Sequence, residues 1–429
     1  MKERIAKSFD IFANKLVQFS QERGRLYWWV FLFVLAFTLV SIAPFPGHSQ
    51  LPINQNQSEQ ICLGDPQQEI RGVWLTNVDS DVLFKADQTK EAITLLAKAN
   101  FNTLYPTVWN WGYTLYPSKI AESFTGLALD PTEGLQNRDI LAEMVELGHQ
   151  QDMRVIPWFE FGFMAPADSE LAKRHPQWLT ARQDGSTIWW EGKVHQRVWL
   201  NPLRPDVQKF MTDLIVEIVS NYDIDGIQLD DHFGYPSELG YDDYTVKLYQ
   251  QEHQGKLPPT DPQDPDWVRW RADKITDYVE TLFHEIKQHN PDAIVSVSPN
   301  PQDFSLNSFL LDWHRWERKG LIEELVVQIY RDRHDTFINE LEQPEILAAR
   351  EHIPVGIGIL TGLKGRPIPW QRIYRQVKIA REHKFAGISF FFYESLWNLA
   401  TESPITRQAA LKNLLYHQTQ HPDVSNCQS

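Results

Sequence analysis

From Glu69 onward the chain alternates short runs of β-branched and aromatic residues with longer stretches of helical periodicity, and eight such pairs can be counted. The short runs are Ile70–Thr76, Thr103–Val108, Val155–Phe161, Gly226–Asp231, Ile294–Pro299, Leu325–Tyr330, Val355–Leu360 and Gly387–Tyr393. Between them Val207, Phe210, Met211, Leu214, Ile215 and Ile218 keep helical spacing, as do Ile275, Tyr278, Val279, Leu282, Phe283 and Ile286. Strands alternating with helices build a parallel sheet. Eight units predict an α/β fold of TIM type, a (β/α)8 barrel over residues 69–418 with a tail at 419–429. An open doubly wound sheet is the competing arrangement. It ordinarily carries a Gly-rich phosphate turn after its first strand, where this chain reads Thr76-Asn77-Val78-Asp79.

Ahead of the barrel, Leu26 to Ala43 is a charge-free apolar run, close to the ~20 residues a bilayer-spanning helix needs. Six basic residues and three acidic ones precede it, and no charge follows until Glu59. The positive-inside rule then makes 1–25 a cytoplasmic basic leader, 26–43 a transmembrane anchor and 44–68 a polar linker. The barrel is expected to be membrane-anchored and periplasmic or extracellular. A cleaved signal peptide is the alternative; the long charged leader and Pro44 directly after Ala43 speak against it. Cys62 and Cys427 flank the barrel, and a disulfide between them is geometrically possible in an oxidising compartment, as are two free thiols.

Barrel enzymes place their chemistry at the C-terminal ends of the strands, so those positions supply the candidates. The fourth strand closes on Asp230, Asp231 and His232, with Gln228 below Asp230 on the same face. The third ends Trp158-Phe159-Glu160 and the eighth Phe392-Tyr393-Glu394; aromatic flanks raise a carboxyl pKa as a general acid requires. Asp230, Glu394, Glu160 and Asp231 are therefore the candidate catalytic carboxylates, with a slight preference for Glu394 as partner of Asp230. Asp332 is a further acid, beside Arg331 and suited to an ion pair. Trp74, Trp109, Trp111, Trp158 and Trp397 fall at or just past strand ends, as do Gln328 and Tyr330. With Gln228 and His232 they are the candidate substrate-binding residues. Arg71, unusual for a barrel interior, is expected to pair with an acid such as Asp230 or Glu394.

A formal charge of −15 argues against nucleic acid as a partner, because binding it relies on neutralising phosphates with Lys and Arg. Sixteen Trp residues suit a saccharide instead, since a flat indole covers the CH-rich face of a pyranose, although many Trp simply pack. Walker A, HExxH and GxSxG motifs are absent. Asp230, Asp231 and His232 are metal-ligand types, but strand alternation keeps them from facing one ion. No metal or other cofactor is expected.

The chain resembles the glycosyl-hydrolase-like 10 family from about Glu69 to Trp397. The resemblance is carried by Glu69-Ile70-Arg71-Gly72-Val73-Trp74-Leu75-Thr76, Asp225-Gly226-Ile227-Gln228-Leu229-Asp230-Asp231, Val295-Ser296-Val297-Ser298-Pro299 and Val327-Gln328-Ile329-Tyr330-Arg331. It implies an exported glycan-cleaving barrel, with peptidoglycan glycan strands as the leading substrate. A non-catalytic carbohydrate-binding barrel and a metal-dependent polysaccharide deacetylase are the alternatives.

Overall fold

The computed structural model describes residues 68–424. The anchor segment 26–43, nearly all of the linker and both cysteines lie outside them. No helix among the described residues is long and apolar enough to cross a membrane.

The core is a parallel α/β sheet that curls on itself. Its strands are β1 (Ile70–Leu75), β2 (Thr103–Pro106), β3 in two pieces (Arg154–Val155 and Trp158–Phe159), β4 (Gly226–Asp230), β5 (Ile294–Ser298), β6 (Glu324–Gln328), β7 (Val355–Leu360) and β8 (Gly387–Phe391). Each pairs with its sequence neighbours, and β8 pairs with β1. The sheet begins and ends on β3. Its first piece pairs with β2 and its second with β4. Across the break, Ile156 N–H donates to the Leu104 carbonyl and the Pro157 carbonyl accepts from Gln228 N–H, at 2.9 and 2.8 Å. Pro157 has no N–H to give, which divides β3 without opening the ring. The sequence-derived strands stand within one or two residues at most of their ends; β3 is the one that is split.

The two periodic helices form where expected. Pro205–Asn221 starts with Pro in its first turn and buries Val207, Phe210, Met211, Leu214, Ile215 and Ile218. Pro265–His289 is capped by the Asp264 carboxylate, which accepts from the N–H groups of Asp266 and Trp267. Phe283 stays half-buried while the other five apolar positions read from the sequence are covered. Truncating one of these buried Leu or Ile residues to Ala would cost about 2–5 kcal/mol.

The N-terminal end of the ring is closed by the segment that follows the last helix. Gln420 bridges Gln68 in parallel, and Asn102 Nδ2 donates to the carbonyls of Glu69 and Thr419. His421 enters the interior, where its Nε2 lies 2.6 Å from Glu324 Oε2; the two side chains are 2% and 0% exposed. Residues 419–421 thus belong to the packed body, not to a tail, because a carboxylate buried in the ring needs hydrogen-bonding partners beside it. Arg71 also serves this end. Its partners are Glu69, at 2.7 Å, and the His417 carbonyl, not Asp230 or Glu394. Side chains alternate along β1, and Arg71 sits near its beginning, far below the mouth.

Candidate active site

At the opposite end, β4 delivers Asp230 to the mouth. Its Oδ1 accepts from Gln328 Nε2 at 2.7 Å and Ser298 Oγ at 3.0 Å. Its Oδ2 lies 3.2 Å from His232 Nδ1. The strand ends here, and Asp231–Phe233 turns into one 3-10 turn. That turn defeats the strand alternation expected at this point. Asp231 swings back, so its Oδ1 lies 3.3 Å from the same His232 Nδ1 while its Oδ2 accepts from Asn300 at 2.6 Å. One ligand atom each from Asp230, Asp231 and His232 falls within 4.8 Å of the others. The expectation that these three cannot face one ion is therefore corrected: the triad has the spacing of a small cation site. The position between the carboxylates is already taken by the imidazole.

His232 Nδ1 also lies 2.9 Å from the Glu160 carbonyl oxygen. A carbonyl only accepts, so Nδ1 carries the proton. Burial alone would lower the pKa of this ring, but Asp231 and Asp230 overrule it and hold it at about 10. His232 is an imidazolium at neutral pH. Burial and then the Asp231 charge push Asp230 well above the usual carboxylate range, against the opposing pull of His232.

Glu160 is built differently. Its Oε2 accepts from Thr76 Oγ1 at 2.8 Å, Thr107 Oγ1 at 2.9 Å and Asn110 Nδ2 at 2.8 Å. Thr76 and Thr107 sit just past β1 and β2, and Asn110 ends the short strand Trp109–Asn110. All three donors are neutral. Burial therefore wins, and the carboxyl is raised to about 7 although Thr76 and Thr107 pull it down. The backbone brings Glu160 against the turn after β4. Gly162 has φ +48° and Phe163 N–H donates to the His232 carbonyl at 2.9 Å; a Cβ on Gly162 would collide with that carbonyl. Glycine is required here both for the dihedral and for the approach.

Tyr330 lies among these acids. Burial, then the charges of Asp230, Asp231 and Glu160, raise its phenol well above the usual value, and its hydroxyl has no hydrogen-bond partner among the described residues. The indole N–H groups of Trp158 and Trp397 are likewise buried without an acceptor. Glu394 stands elsewhere. It is half-buried on the short helix Tyr393–Trp397 and accepts from Ser80 Oγ and Asn398 Nδ2 at 3.1 and 2.6 Å. No contact joins it to Asp230, Glu160 or His232.

The Trp residues at strand ends divide. Trp74 is 1% exposed and donates to Gln228 Oε1 at 2.7 Å inside the ring, where Gln228 in turn donates to Ser296 Oγ. Trp109 is fully covered, gives its N–H to the Gly162 carbonyl and packs on Phe210. Neither presents a face to a sugar, and both are corrected to packing residues. Trp111 remains half-buried at the mouth. Asp332 does form ion pairs, but with Arg366 and Arg372 at 2.7 and 2.6 Å; Arg331 pairs with Glu340. The sequence did not single out Thr76, Thr107, Asn110, Ser298 or Asn300. Their position at or just past strand ends was the available signal.

Residues 69–378 match the family model described as "Glycosyl hydrolase-like 10". The chain belongs to the glycosyl hydrolase-like 10 family. Within it, the chain is 24% identical over 341 residues to glycosyl hydrolase DigH of Escherichia coli K12, covering 70% of this chain and 74% of the relative. It is 25% identical over 299 residues to glycosyl hydrolase YngK of Bacillus subtilis, across 61% of this chain and 54% of that one. Among solved structures, the fold is similar to the PgaB (BpsB) glycoside hydrolase domain from Bordetella bronchiseptica, with a TM-score of 0.54 at 12% identity over 79% of this chain and all of that one. A β-galactosidase from Bacillus circulans sp. alkalophilus gives 0.58 at 13% identity, over 82% of this chain and 56% of the other. These glycosyl hydrolase-like 10 residues thus sit on a scaffold shared with glycoside hydrolases.

Proposed function

We propose that this protein is an extracytoplasmic glycoside hydrolase, held at the membrane by residues 26–43 and cleaving an envelope polysaccharide, with peptidoglycan glycan strands as the leading substrate. The observation that carries the reading is the His232 Nδ1–H group, which joins the Glu160 backbone to the Asp230 carboxylate at 2.9 and 3.2 Å. Two buried acidic residues from adjacent strands are thereby linked, the Glu160 backbone to the Asp230 carboxylate, with their carboxyls in unlike surroundings. Glycoside hydrolysis generally uses such a pair, one acid protonating the leaving oxygen and one acting as nucleophile or base. Glu160, near 7, keeps a proton over much of the neutral range and suits the first role. Asp230, whose Oδ2 faces the His232 Nδ1–H, takes the second role once it has given up its proton; Asp231 and Asn300 position His232. Tyr330 offers its unpartnered hydroxyl to a sugar hydroxyl, while Gln328 spends both amide hydrogens on Asp230 and the Ser298 carbonyl.

The family and the glycosidase scaffold support the reaction class. The basic leader, apolar run and polar linker support the location, and the family resemblance supports the glycan. The test is to incubate the full chain with peptidoglycan glycan strands and measure new reducing ends. Release that survives a chelator and disappears in Asp230→Asn is expected. Retention of glycan without release would make the protein a binding barrel, and loss in the chelator would turn the Asp230–Asp231–His232 triad into a metal site.

A further inference from the structure

The long connection after β3 folds into a three-stranded antiparallel sheet of Met164–Pro166, Trp189–Glu191 and His195–Trp199. Trp189 pairs with Arg197 and Glu191 with His195, so alternation puts Trp189, Glu191, Arg197 and Trp199 on one face and Trp190 on the other. The first face looks toward the mouth. Trp199 packs 6.1 Å from the His232 ring, and Arg197 stacks 4.4 Å over Trp111 and 5.1 Å over Phe161, the residue after Glu160.

Arg197 is 3% exposed. Its Nε donates to Glu191 Oε2 at 2.7 Å, and no oxygen of the described residues accepts from its two terminal nitrogens. A guanidinium has five donors in a planar fork. Here one edge is engaged while the outer edge is fixed by two aromatic faces and left without an acceptor. An ion pair that only fastened the hairpin would not need the stacked rings, and the terminal nitrogens are not among the fully covered polar atoms that lack a partner, so a ligand can reach them.

We propose that Arg197 is a substrate-recognition residue, whose outer edge takes a carboxylate borne by a sugar of the glycan, next to the half-buried face of Trp111. The substrate class is then an acidic polysaccharide. The assignment rests on the hydrolase reading for its substrate, but it is tested by binding alone. The overall charge of −15 would repel such a glycan at long range, which makes a local, fixed cation the means of holding it.

The probe is peptide-free peptidoglycan glycan, used with its carboxylates native or converted to methylamides. Full-length Asp230→Asn protein, immobilised, is expected to retain the native form about ten-fold better than the amidated form, the scale of one charge-assisted contact. Adding Arg197→Gln removes the preference, and Arg197→Lys, which keeps the charge but not the fork, restores only part of it. Equal retention of both forms by Asp230→Asn, or a preference that survives Arg197→Gln, overturns the assignment. Should wild-type protein release no reducing ends while the Arg197-dependent preference is present, the hydrolase reading falls and the carboxylate subsite stands.

Discussion

Glu324 at the floor of the ring and Glu160 at its mouth are buried alike, at 0% and 4% exposure, yet their acidities move in opposite directions. Glu324 is met by His421, Ser296 and Tyr105, which overcome the upward push of burial and hold its pKa below the usual value. Glu69 nearby is lowered in the same way by Arg381 and Arg71 against its burial. Glu160 meets two threonines and an asparagine, and burial prevails. The depth is the same; only the partner's charge differs. A carboxylate given a cation is part of the scaffold, whereas one given neutral donors is left ready to exchange a proton.

This contrast is most directly broken at Asp230. Asp230→Asn is expected to lower reducing-end release on the order of 10³-fold or more, with melting temperature close to wild type; turnover within a few-fold of wild type would remove the mouth from the chemistry. Glu160→Gln should cost roughly 10²–10⁴-fold. In the proposed reaction Glu160 acts in its protonated form, so wild-type activity should fall as pH rises through about 7, and the Gln variant should lack that limb. At the floor, His421→Ala should leave the pH profile alone and lower stability at neutral pH by about 3–5 kcal/mol, as expected for an unpaired buried charge. The Glu324 pKa is depressed when folded, so its stabilisation is complete above 4.5 and is lost as pH falls through the lowered value. The His421→Ala deficit, followed by urea unfolding, should therefore shrink in acid. The smallest effect belongs to Glu394→Gln, expected to change turnover by about two-fold or less. A large loss there would move the acid's role from the third strand to the eighth.

Much of the scaffold was legible because period and composition act locally. All eight strands and both periodic helices could be located from β-branched runs and apolar spacing alone, and β3 differs only because Pro157 interrupts its ladder. The candidate site was legible as far as chain position could carry it, which brought Asp230, Glu160, Gln328 and Tyr330 to one end of the ring as candidates. What failed depended on geometry just past a strand end. Asp231 was assigned by alternation, but one 3-10 turn reverses its direction. Arg71 was given a distant partner when Glu69, two residues away, was on hand. His421 and Arg197 carry no local pattern at all. Each owes its role to a neighbour more than 90 residues away or to a stacked ring, and only closure of the ring or folding of the hairpin creates that neighbour.

The floor has a consequence for how the chain is made. The imidazole that faces Glu324 lies almost 100 positions later, at residue 421. A nascent polypeptide can form all eight strands and still lack it. The floor of the ring therefore cannot be completed until residue 421 has been added, however early the strands have paired.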